Sequence, residues 1–570
     1  MFKLISFLKN HKKEGILGPL FKLIEAILEL FIPIIMARII DIGINNKDIS
    51  YVFKMGGLLI LLGIVGLFFA LICQYYASIA SQSVGFDLRN KLFNHINTFS
   101  YSEIDTIGTP TLTTRIINDV NQIQTGIAML IRLGTRSPFI LIGSIIMAFS
   151  IDFKLALIFL VTSPLIALVI YFVMSKSLPL FSKIQKTLDN ISLISRENLD
   201  GIRVIKAFSK EDYEKEKFNN SNNELKDLYL KVSKISSLLN PLTYIIMNLS
   251  IIAILYFGGI RVNMGSLTQG EVIAFTNYIT QILLALIVFS NLIVILTKAS
   301  NSASRVIEIL NISPSIKDNE ILVKDIESNS FIEFRDVSFK YTDDSDYSLK
   351  DINLTINKNE FIGIIGGTGS GKTTLINLLP RFYEATSGNI FLNGINIKNY
   401  TLKELRNSIG LVPQRAVLFN GTILDNLKWG NENASDEDIK KAINISQSSF
   451  VYSLKEKLNS KVLQNGKNFS GGQKQRLTIA RALVSKPPIL ILDDSSSALD
   501  FATDAALRKA IKEDSTDTTV LIVSQRTSSI KNCDKILVLD NGVISGFGTH
   551  DYLLENCSVY REIYNSQLNN

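Results

Sequence analysis

Histidine, cysteine and tryptophan are scarce in this chain of 570 residues, which contains three histidines, three cysteines and one tryptophan. The cysteines lie far apart and none has a partner at the spacing of a metal site, so the sequence predicts neither a zinc site nor a disulfide framework. We interpret the cysteines as packing residues. The scarce residues are Cys73, Cys533, Cys557, His11, His95, His550 and Trp429.

An excess of one charge sign is also missing. The chain has 59 basic and 52 acidic residues, which gives a net charge of +7. The basic residues are mixed with acidic ones and lie mostly beside apolar segments. This distribution argues against a nucleic-acid surface.

Long apolar runs, by contrast, are abundant, and hydrophobic residues make up 47% of the chain. Six runs are each long enough to cross a hydrocarbon core of ~30 Å, and no soluble fold of this size buries six of them. We therefore predict six membrane helices. Basic residues are concentrated before the first run and after the second and fourth, which places both termini in the cytoplasm. The runs are Gly15–Ile40, Met55–Ala80, Ile127–Phe149, Phe153–Ser175, Leu238–Ile260 and Val272–Leu296.

Five ionisable residues interrupt these runs at membrane depth. Lys22, Glu25 and Glu29 share one helical face in the first run, and Arg132 and Arg136 share a face in the third. Charged groups at this depth usually face a cavity or each other. We favour ion pairing that orients helices over contact with a transported substrate.

The composition changes near residue 310, and we predict three parts: a transmembrane domain at 1–310, a polar linker at 311–330 and a second domain at 331–570. In the second domain, short β-rich runs alternate with helical stretches. This alternation predicts an α/β domain with a largely parallel core.

A glycine-rich segment in the second domain carries the clearest chemistry. The apolar run Phe361–Ile365 leads into the spacing G-x-x-x-x-G-K-T of a P-loop. Its glycines allow backbone N–H groups to turn toward phosphate oxygens, and the following helix adds a positive dipole. We expect Lys372 to reach the outer phosphates and Thr373 to coordinate Mg²⁺. The predicted phosphate-binding residues are Gly366, Gly367, Thr368, Gly369, Ser370, Gly371, Lys372, Thr373 and Thr374.

Further segments, in the expected order, resemble the motifs of ABC transporters. The resemblance implies an ATP site with Mg²⁺ held by Thr373, Gln414 and Asp493, and a signature motif that acts on the ATP of a second subunit. The matching residues are Tyr341 at the adenine position, Gln414 in the Q-loop, Ser470, Gly471, Gly472 and Gln473 in the signature, Leu490–Asp494 in the Walker B strand, and Ser497–Asp500 with Asp500 in the D-loop.

The N-terminal half resembles the membrane domain of an ABC exporter. The polar segments Gln82–Gln124 and Lys176–Lys234 keep a helical spacing of apolar residues, which predicts helices that extend beyond the bilayer and turn once. Pieces near Ser100–Leu112 and Ser209–Phe218 resemble coupling helices, and Gly201–Phe208 matches the exporter pattern closely. In this family the second coupling helix contacts the ATPase domain of the other subunit, so the resemblance implies a dimer.

Two positions in the hydrolytic centre, and a third ahead of the signature, depart from the pattern of an active family member. Asp494 stands where a glutamate orients the attacking water, and a displacement of ~1 Å in a positioning group costs on the order of 10²-fold. Gln525, in the switch strand, replaces a histidine; glutamine can hydrogen-bond the γ-phosphate but cannot become cationic. Asp494 alone is compatible with a harmless exchange. Together with Gln525, and with Gln464 near a position that is usually glutamate, it predicts a site that binds ATP and rarely hydrolyses it.

These features resemble one half of the heterodimeric bacterial multidrug ABC exporters. The resemblance implies ATP-driven export of amphipathic small molecules across the plasma membrane, with the ATPase domain in the cytoplasm and a second half-transporter and membrane lipid as partners. Two alternatives stay open. One is export of a lipid or peptide, and the other is a regulatory ATP-sensing subunit that gates a partner.

Overall fold

The computed structural model of the protein describes residues 2–318, 330–342, 344–514 and 517–568. Their contacts define two compact units, the first formed by 1–97 with 110–312 and the second by 98–109 with 313–570. The second unit thus includes a short segment that the sequence analysis assigned to the transmembrane domain. Most of the predicted linker at 311–330 lies outside the described residues, and the predicted boundaries remain a prediction.

Helices account for nearly all of the described chain up to residue 310. Two π-helical segments, Ile39–Ile44 and Arg115–Asp119, and a 3-10 turn, Leu8–Asn10, interrupt the α-helices. The α-helices are α1 Phe2–Phe7, α2 Lys12–Arg38, α3 Ile49–Ile96, α4 Tyr101–Ile107, α5 Thr109–Thr114, α6 Val120–Leu133, α7 Arg136–Ile151, α8 Phe153–Asp200, α9 Ile202–Ala207, α10 Glu211–Ser236, α11 Leu239–Asn263 and α12 Gln269–Leu310.

Five helical segments of the described chain are long and apolar enough to cross a membrane, and they contain five of the six predicted runs. The first predicted run lies in α2. Every 18-residue stretch of α2 contains Lys22, Glu25 and Glu29, which makes it too charged for the same criterion. A sixth span therefore stays a prediction. The five segments are Ile49–Ile96, Thr109–Ile151, Phe153–Asp200, Glu211–Asn263 and Gln269–Leu310.

The charges of α2 are used in ion pairs. Lys22 Nζ lies 2.6 Å from a carboxylate oxygen of Glu25, one turn away. Glu29 accepts a hydrogen bond of 2.8 Å from Arg136 Nη2, which links α2 to α7. The predicted ion pairing is confirmed for these four residues. Arg132 forms no ion pair within the described part of the chain.

The predicted extension of the membrane helices is confirmed. α3 and α8 each have 48 residues, a length of about 72 Å at the usual rise per residue. The prediction of a coupling helix near Ser209–Phe218 is wrong, because residues from Glu211 onward begin the long helix α10. The short helix is α9, which lies within the segment Gly201–Phe208. Ser209 ends it in the left-handed region at φ 52°, a conformation that interrupts a helix.

The second unit contains the strands and nine further α-helices among its described residues. The strands are β1 Ile332–Phe339, β2 Leu349–Ile356, β3 Phe361–Gly366, β4 Ser387–Leu392, β5 Ile395–Asn396, β6 Ile409–Val412, β7 Gly421–Thr422, β8 Lys461–Val462, β9 Ile489–Asp493, β10 Thr519–Val523, β11 Lys535–Asp540 and β12 Val543–Gly548. The helices are α13 Lys372–Leu378, α14 Leu402–Asn407, α15 Ile423–Lys428, α16 Asp436–Ile445, α17 Gly471–Val484, α18 Phe501–Asp514, α19 Thr527–Ile530, α20 His550–Asn556 and α21 Ser558–Leu568.

A six-stranded sheet in the order β12-β11-β3-β10-β9-β6 forms the centre of the second unit. β11, β3, β10, β9 and β6 are parallel to one another, which confirms the predicted parallel core. Every residue of β3, β9 and β10 is buried. A second sheet, β2-β1-β4-β5, is antiparallel. Its buried apolar residues form one hydrophobic core with residues of the six-stranded sheet.

The short helix α4 packs within the second unit. Tyr101 stacks on Phe382 with ring centroids 4.5 Å apart, and its backbone N–H donates to the Phe382 carbonyl at 3.2 Å. Tyr383 donates a hydrogen bond of 2.5 Å to the Asp105 carboxylate. These contacts explain why residues 98–109 belong to this unit although they are neighbours of membrane helices in the sequence.

Gly363 in β3 provides a test of how closely the central sheet packs against α19. A Cβ atom at this position would lie 2.7 Å from Cβ of Ile530, a distance that requires a shift of the neighbouring helix α19. We expect Gly363→Val to lower the free energy of unfolding of the second unit by about 1–3 kcal/mol. Urea unfolding followed by the fluorescence of Trp429, the only tryptophan, measures this change. Val543→Ala on the exposed edge strand should have little effect, and equal effects would contradict the packing argument.

Candidate functional site

The P-loop follows the buried strand β3 and encloses its own lysine. Gly369 and Gly371 have φ of 81° and 96°, in the left-handed region that other residues rarely adopt. A Cβ at Gly371 would lie 2.6 Å from the carbonyl oxygen of Ser348. Lys372 Nζ donates to the carbonyls of Gly366 at 2.9 Å and Gly367 at 2.6 Å. The loop can therefore exist only with glycine at two positions, and it holds a buried ammonium group at its centre.

Two carboxylates stand at the end of β9, opposite the P-loop. Asp493 is 5% exposed, and its Oδ1 accepts from the Thr373 hydroxyl at 3.4 Å. Asp494 is the next residue and adopts φ 43°, a conformation that is uncommon outside glycine and that often occurs at functional sites. Its backbone N–H donates to the Val523 carbonyl at 3.0 Å, which ties it to β10.

The three buried ionisable groups of this site only partly stabilise one another's charged forms. Burial raises the pKa of Asp493 to about 6, and the neighbouring charge of Asp494 adds to this rise while Thr373 and Lys372 oppose it. Burial also raises the pKa of Asp494. For Lys372, burial lowers the pKa of the ammonium group, and the two aspartates oppose the shift. Each buried group therefore loses hydration that its partners replace only in part.

The donor set fits Mg²⁺. Thr373, Asp493 and Gln414 supply hydroxyl, carboxylate and amide oxygens, which are the ligands that Mg²⁺ prefers. No group of three or more His, Cys, Asp or Glu side chains suited to a metal occurs among the described residues. When bound, Mg²⁺ supplies charge neutralisation for the γ-phosphate.

The predicted Q-loop and switch residues line the same cavity as the P-loop. Gln414 Nε2 donates to Asp494 Oδ2 at 3.4 Å. The cavity has a volume of about 320 Å³. Its lining consists of Tyr341, Ser348, Thr368, Gly369, Ser370, Gly371, Lys372, Thr373, Thr374, Gln414, Asp493, Asp494, Val523 and Gln525.

Tyr341 stands at the mouth of this cavity. The residue is 46% exposed, and its ring meets Phe339 and Tyr383 edge to face at centroid distances of 4.9 and 5.2 Å. Its hydroxyl lies 2.9 Å from the Thr374 hydroxyl. One face of an oriented aromatic ring is thus available beside the phosphate loop, as stacking on a base requires.

The signature residues are not part of this cavity lining. Ser470 caps α17: its Oγ accepts from Gln473 N–H at 3.3 Å, and its own N–H donates to Gln473 Oε1 at 3.0 Å. The space where a Cβ of Gly471 would stand is open. The N-terminus of a 14-residue helix is therefore exposed, and its dipole favours an anion.

Asp500 of the D-loop has a local role in the structure. Its carboxylate accepts from Thr503 N–H at 2.9 Å and Thr503 Oγ1 at 2.8 Å, which caps α18. These hydrogen bonds, led by the one from the Thr503 backbone, lower the pKa of Asp500. It is not among the residues that line the nucleotide cavity.

Sequence reasoning missed three contributors to the site. Ser348 and Val523 line the cavity, and the charge of Arg526 acts on Asp494. Arg526 also lies over the Phe501 ring at 4.8 Å from its centroid. The position of Arg526 directly after Gln525 was the available signal, whereas Ser348 has no local pattern that indicates its role.

Two family descriptions match the two halves of this chain. The description "ABC transporter transmembrane region" matches residues 16–286, and "ABC transporter" matches residues 349–497. A relative from Syntrophus aciditrophicus (strain SB), the ATP-dependent lipid A-core flippase, is 33% identical over 87% of this chain and 83% of its own. The chain belongs to the ABC transporter family.

Two further comparisons cover almost the whole transporter. The Bacillus subtilis (strain 168) protein YgaD, whose name assigns it provisionally to multidrug export, is 30% identical over 100% of this chain and 99% of its own. A solved structure of a bacterial Atm1-family ABC exporter with ATP bound has the same fold, with a TM-score of 0.83, 23% identity, and coverage of 98% of this chain and 99% of that one.

The transporter is thus a multi-pass membrane protein that joins a membrane domain with the fold of an ABC exporter to an ABC ATPase domain on the cytoplasmic side. It hydrolyses ATP to drive transport. Nucleotide binding follows from the ATPase domain, and the cavity lined by the P-loop is where the described residues can accommodate it.

The role of Tyr341 can be tested by binding. We expect Tyr341→Ala to weaken ATP binding about 5-fold to 150-fold, because base stacking on an aromatic ring contributes about 1–3 kcal/mol. Displacement of a fluorescent ATP analogue from the full-length protein measures this change. Tyr341→Phe is the matched control, because it keeps the ring and removes only the hydroxyl. Equal weakening by both variants would mean that the hydroxyl, rather than stacking, is responsible.

Proposed function

We propose that this transporter is one half of a heterodimeric exporter that moves amphipathic small molecules out across the bacterial plasma membrane. Its own ATP site binds nucleotide and hydrolyses it slowly, and its signature motif completes the ATP site of a different half-transporter. The observation that carries this proposal is the pairing of an intact, outward-facing signature with a catalytic centre that has Asp494 and Gln525.

The catalytic centre supports slow hydrolysis through geometry. Asp494 is held by its backbone hydrogen bond to β10 and by its left-handed conformation. A side chain one methylene shorter than glutamate cannot recover its reach from such a backbone. Its carboxylate accepts from Gln414, and Gln525 offers an amide instead of a cation. The residue types needed to bind nucleotide are present, whereas the two positions that would promote attack by water carry less effective side chains.

A large cavity in the ATPase unit supports a dimer. It has a volume of about 790 Å³, and Phe419 and Trp429 stack within it at 4.3 Å. The side chains of Val204 and Phe208, in and after α9, are 61% and 72% exposed. We assign this aromatic cavity to the second coupling helix of the other subunit, as the family resemblance implies. Its lining includes Tyr101, Phe382, Leu411, Phe419, Trp429 and Arg481.

The substrate class rests on similarity. One relative is named for multidrug export and another for flipping lipid A-core, and the proposed class of amphipathic small molecules is compatible with both names. Export of a lipid therefore remains the second candidate, favoured by the 33% identity to the flippase. In either case ATP binding draws two ATPase domains together, and hydrolysis mainly in the other composite site separates them again.

Expression of this chain alone is the direct test of the heterodimer. We expect the purified chain to bind ATP and to show little ATPase activity, because a homodimer would contain two impaired sites. Addition of the correct second half-transporter should restore turnover and, in vesicles, vectorial transport. Robust turnover by the chain alone would contradict the heterodimer, and restored turnover without transport would favour a regulatory subunit.

The two motifs should respond differently to substitution in the heterodimer. Ser470→Arg should nearly abolish the ATPase activity of the pair, because Ser470 serves the competent site. Lys372→Ala should leave part of the activity, because it removes phosphate binding only from the impaired site. Steady-state ATPase rates measure both effects, and equal losses would count against the asymmetry.

Slow hydrolysis at this site should appear as a long nucleotide lifetime. Single-turnover hydrolysis of trapped ATP, with the catalytic glutamate of the other subunit changed to glutamine, reports on this site alone. We expect Asp494→Glu combined with Gln525→His to shorten the lifetime, whereas each change alone has little effect because such residues act as a unit. Cleavage at an ordinary exporter rate in the unchanged protein would show that the site is competent.

A further inference from the structure

We propose that Gln567 near the end of the chain is a positioning residue for the switch segment, residues 524–527 after β10, and that it acts on bound ATP through Gln525. Its side-chain amide bridges two backbone positions on either side of Arg526. Nε2 donates to the Gln525 carbonyl at 2.7 Å. Oε1 accepts from Thr527 N–H at 2.8 Å and from Thr527 Oγ1 at 2.9 Å.

This arrangement uses both the N–H donor side and the oxygen acceptor side of one amide. The donor and acceptor ends of a glutamine amide lie on opposite sides of one planar group. A planar group bonded at both ends restricts the peptide that it spans. Gln567 thus supplies a protein partner for the Gln525 carbonyl and for the Thr527 N–H.

The helix that carries Gln567 is itself firmly anchored. Tyr560 in α21 is fully buried in the core that also contains residues of β3, β10 and α19. Its hydroxyl lies 2.7 Å from His550 Nδ1. The His550 ring also meets Tyr564, one turn further along α21, at a centroid distance of 5.2 Å. Gln567 therefore presents its amide from a helix whose position is set by the ATPase core.

Beyond the end of β10, the switch segment needs support from hydrogen bonds outside the sheet. Ser524 N–H donates to the Ile364 carbonyl in β3. Arg526 N–H donates to Ser524 Oγ within the switch segment. After that point the backbone leaves the sheet. The side chain of Gln525 lines the nucleotide cavity, so the bonds from Gln567 restrain the backbone from which the γ-phosphate contact is made.

The test uses nucleotide preference, because binding to this P-loop needs neither hydrolysis nor a second subunit. We measure the affinities of the full-length chain for ATP and ADP with Mg²⁺, by displacement of a fluorescent analogue. Gln567→Ala should lower the ATP-to-ADP affinity ratio about twofold to tenfold, the contribution of one hydrogen bond to the γ-phosphate. The ADP affinity should stay unchanged, since ADP lacks that phosphate.

A double-mutant comparison separates positioning from general stabilisation. In a Gln525→Ala background, Gln567→Ala should produce no further change in the ratio, because the side chain through which it acts is gone. An equal loss in both backgrounds, or an equal loss of ADP affinity, would overturn the proposal, as would an unchanged ratio in the Gln567→Ala protein.

Two further variants and one independent measurement complete the design. Gln567→Glu keeps the acceptor for Thr527 but cannot donate to the Gln525 carbonyl, so it should behave like the alanine variant. Asn565→Ala, an exposed neighbour on α21, is the matched control and should leave the ratio unchanged. Amide hydrogen exchange of residues 524–530 should accelerate in Gln567→Ala and stay unchanged in Asn565→Ala; unchanged exchange in Gln567→Ala would also overturn the proposal.

Discussion

The parallel pairing of β3, β10 and β9 is the constraint on which the ATP site depends. Val523 pairs with Ile364 on one side and with Asp493 on the other. Parallel strands end at the same edge of a sheet, so the P-loop after β3, the carboxylates at the end of β9 and Gln525 after β10 converge there. A shift of one residue in either register would turn the buried side chains of a strand to the opposite face.

Burial of this edge explains why the site is suited to a charged ligand. Lys372 and Asp493 are 8% and 5% exposed. Burial lowers the pKa of Lys372 and raises the pKa of Asp493, and both shifts favour the neutral form of the group. Phosphates and a divalent cation, when bound, would replace the hydration that these groups have lost. In the proposed function, Asp494 and Gln525 change the reacting region, whereas Lys372, Thr373 and Asp493 keep the residue types that the P-loop chemistry requires.

Much of this architecture could be predicted from local patterns. Apolar runs located five membrane segments, although the observed helical segments extend well beyond some of them, and the run Phe361–Ile365 matches β3 to within one residue. The prediction for Ser209–Phe218 was wrong because α10 is polar and helical throughout, so its first turns look the same as an isolated short helix. The backbone reversal at Ser209, which separates α9 from α10, has no strong sequence signal, because serine rarely adopts that conformation.

The sequence by itself determined the family, the P-loop chemistry and the two departures at Asp494 and Gln525, because each depends on residue type at a short, constant spacing. The tertiary structure alone decided the pairing of Glu29 with Arg136, the packing of α4 with the ATPase unit, and the contact of Gln567 with the switch. Those contacts join residues separated by tens to hundreds of positions. Which side chains meet over such a separation depends on how whole helices and sheets pack, and no local pattern records it.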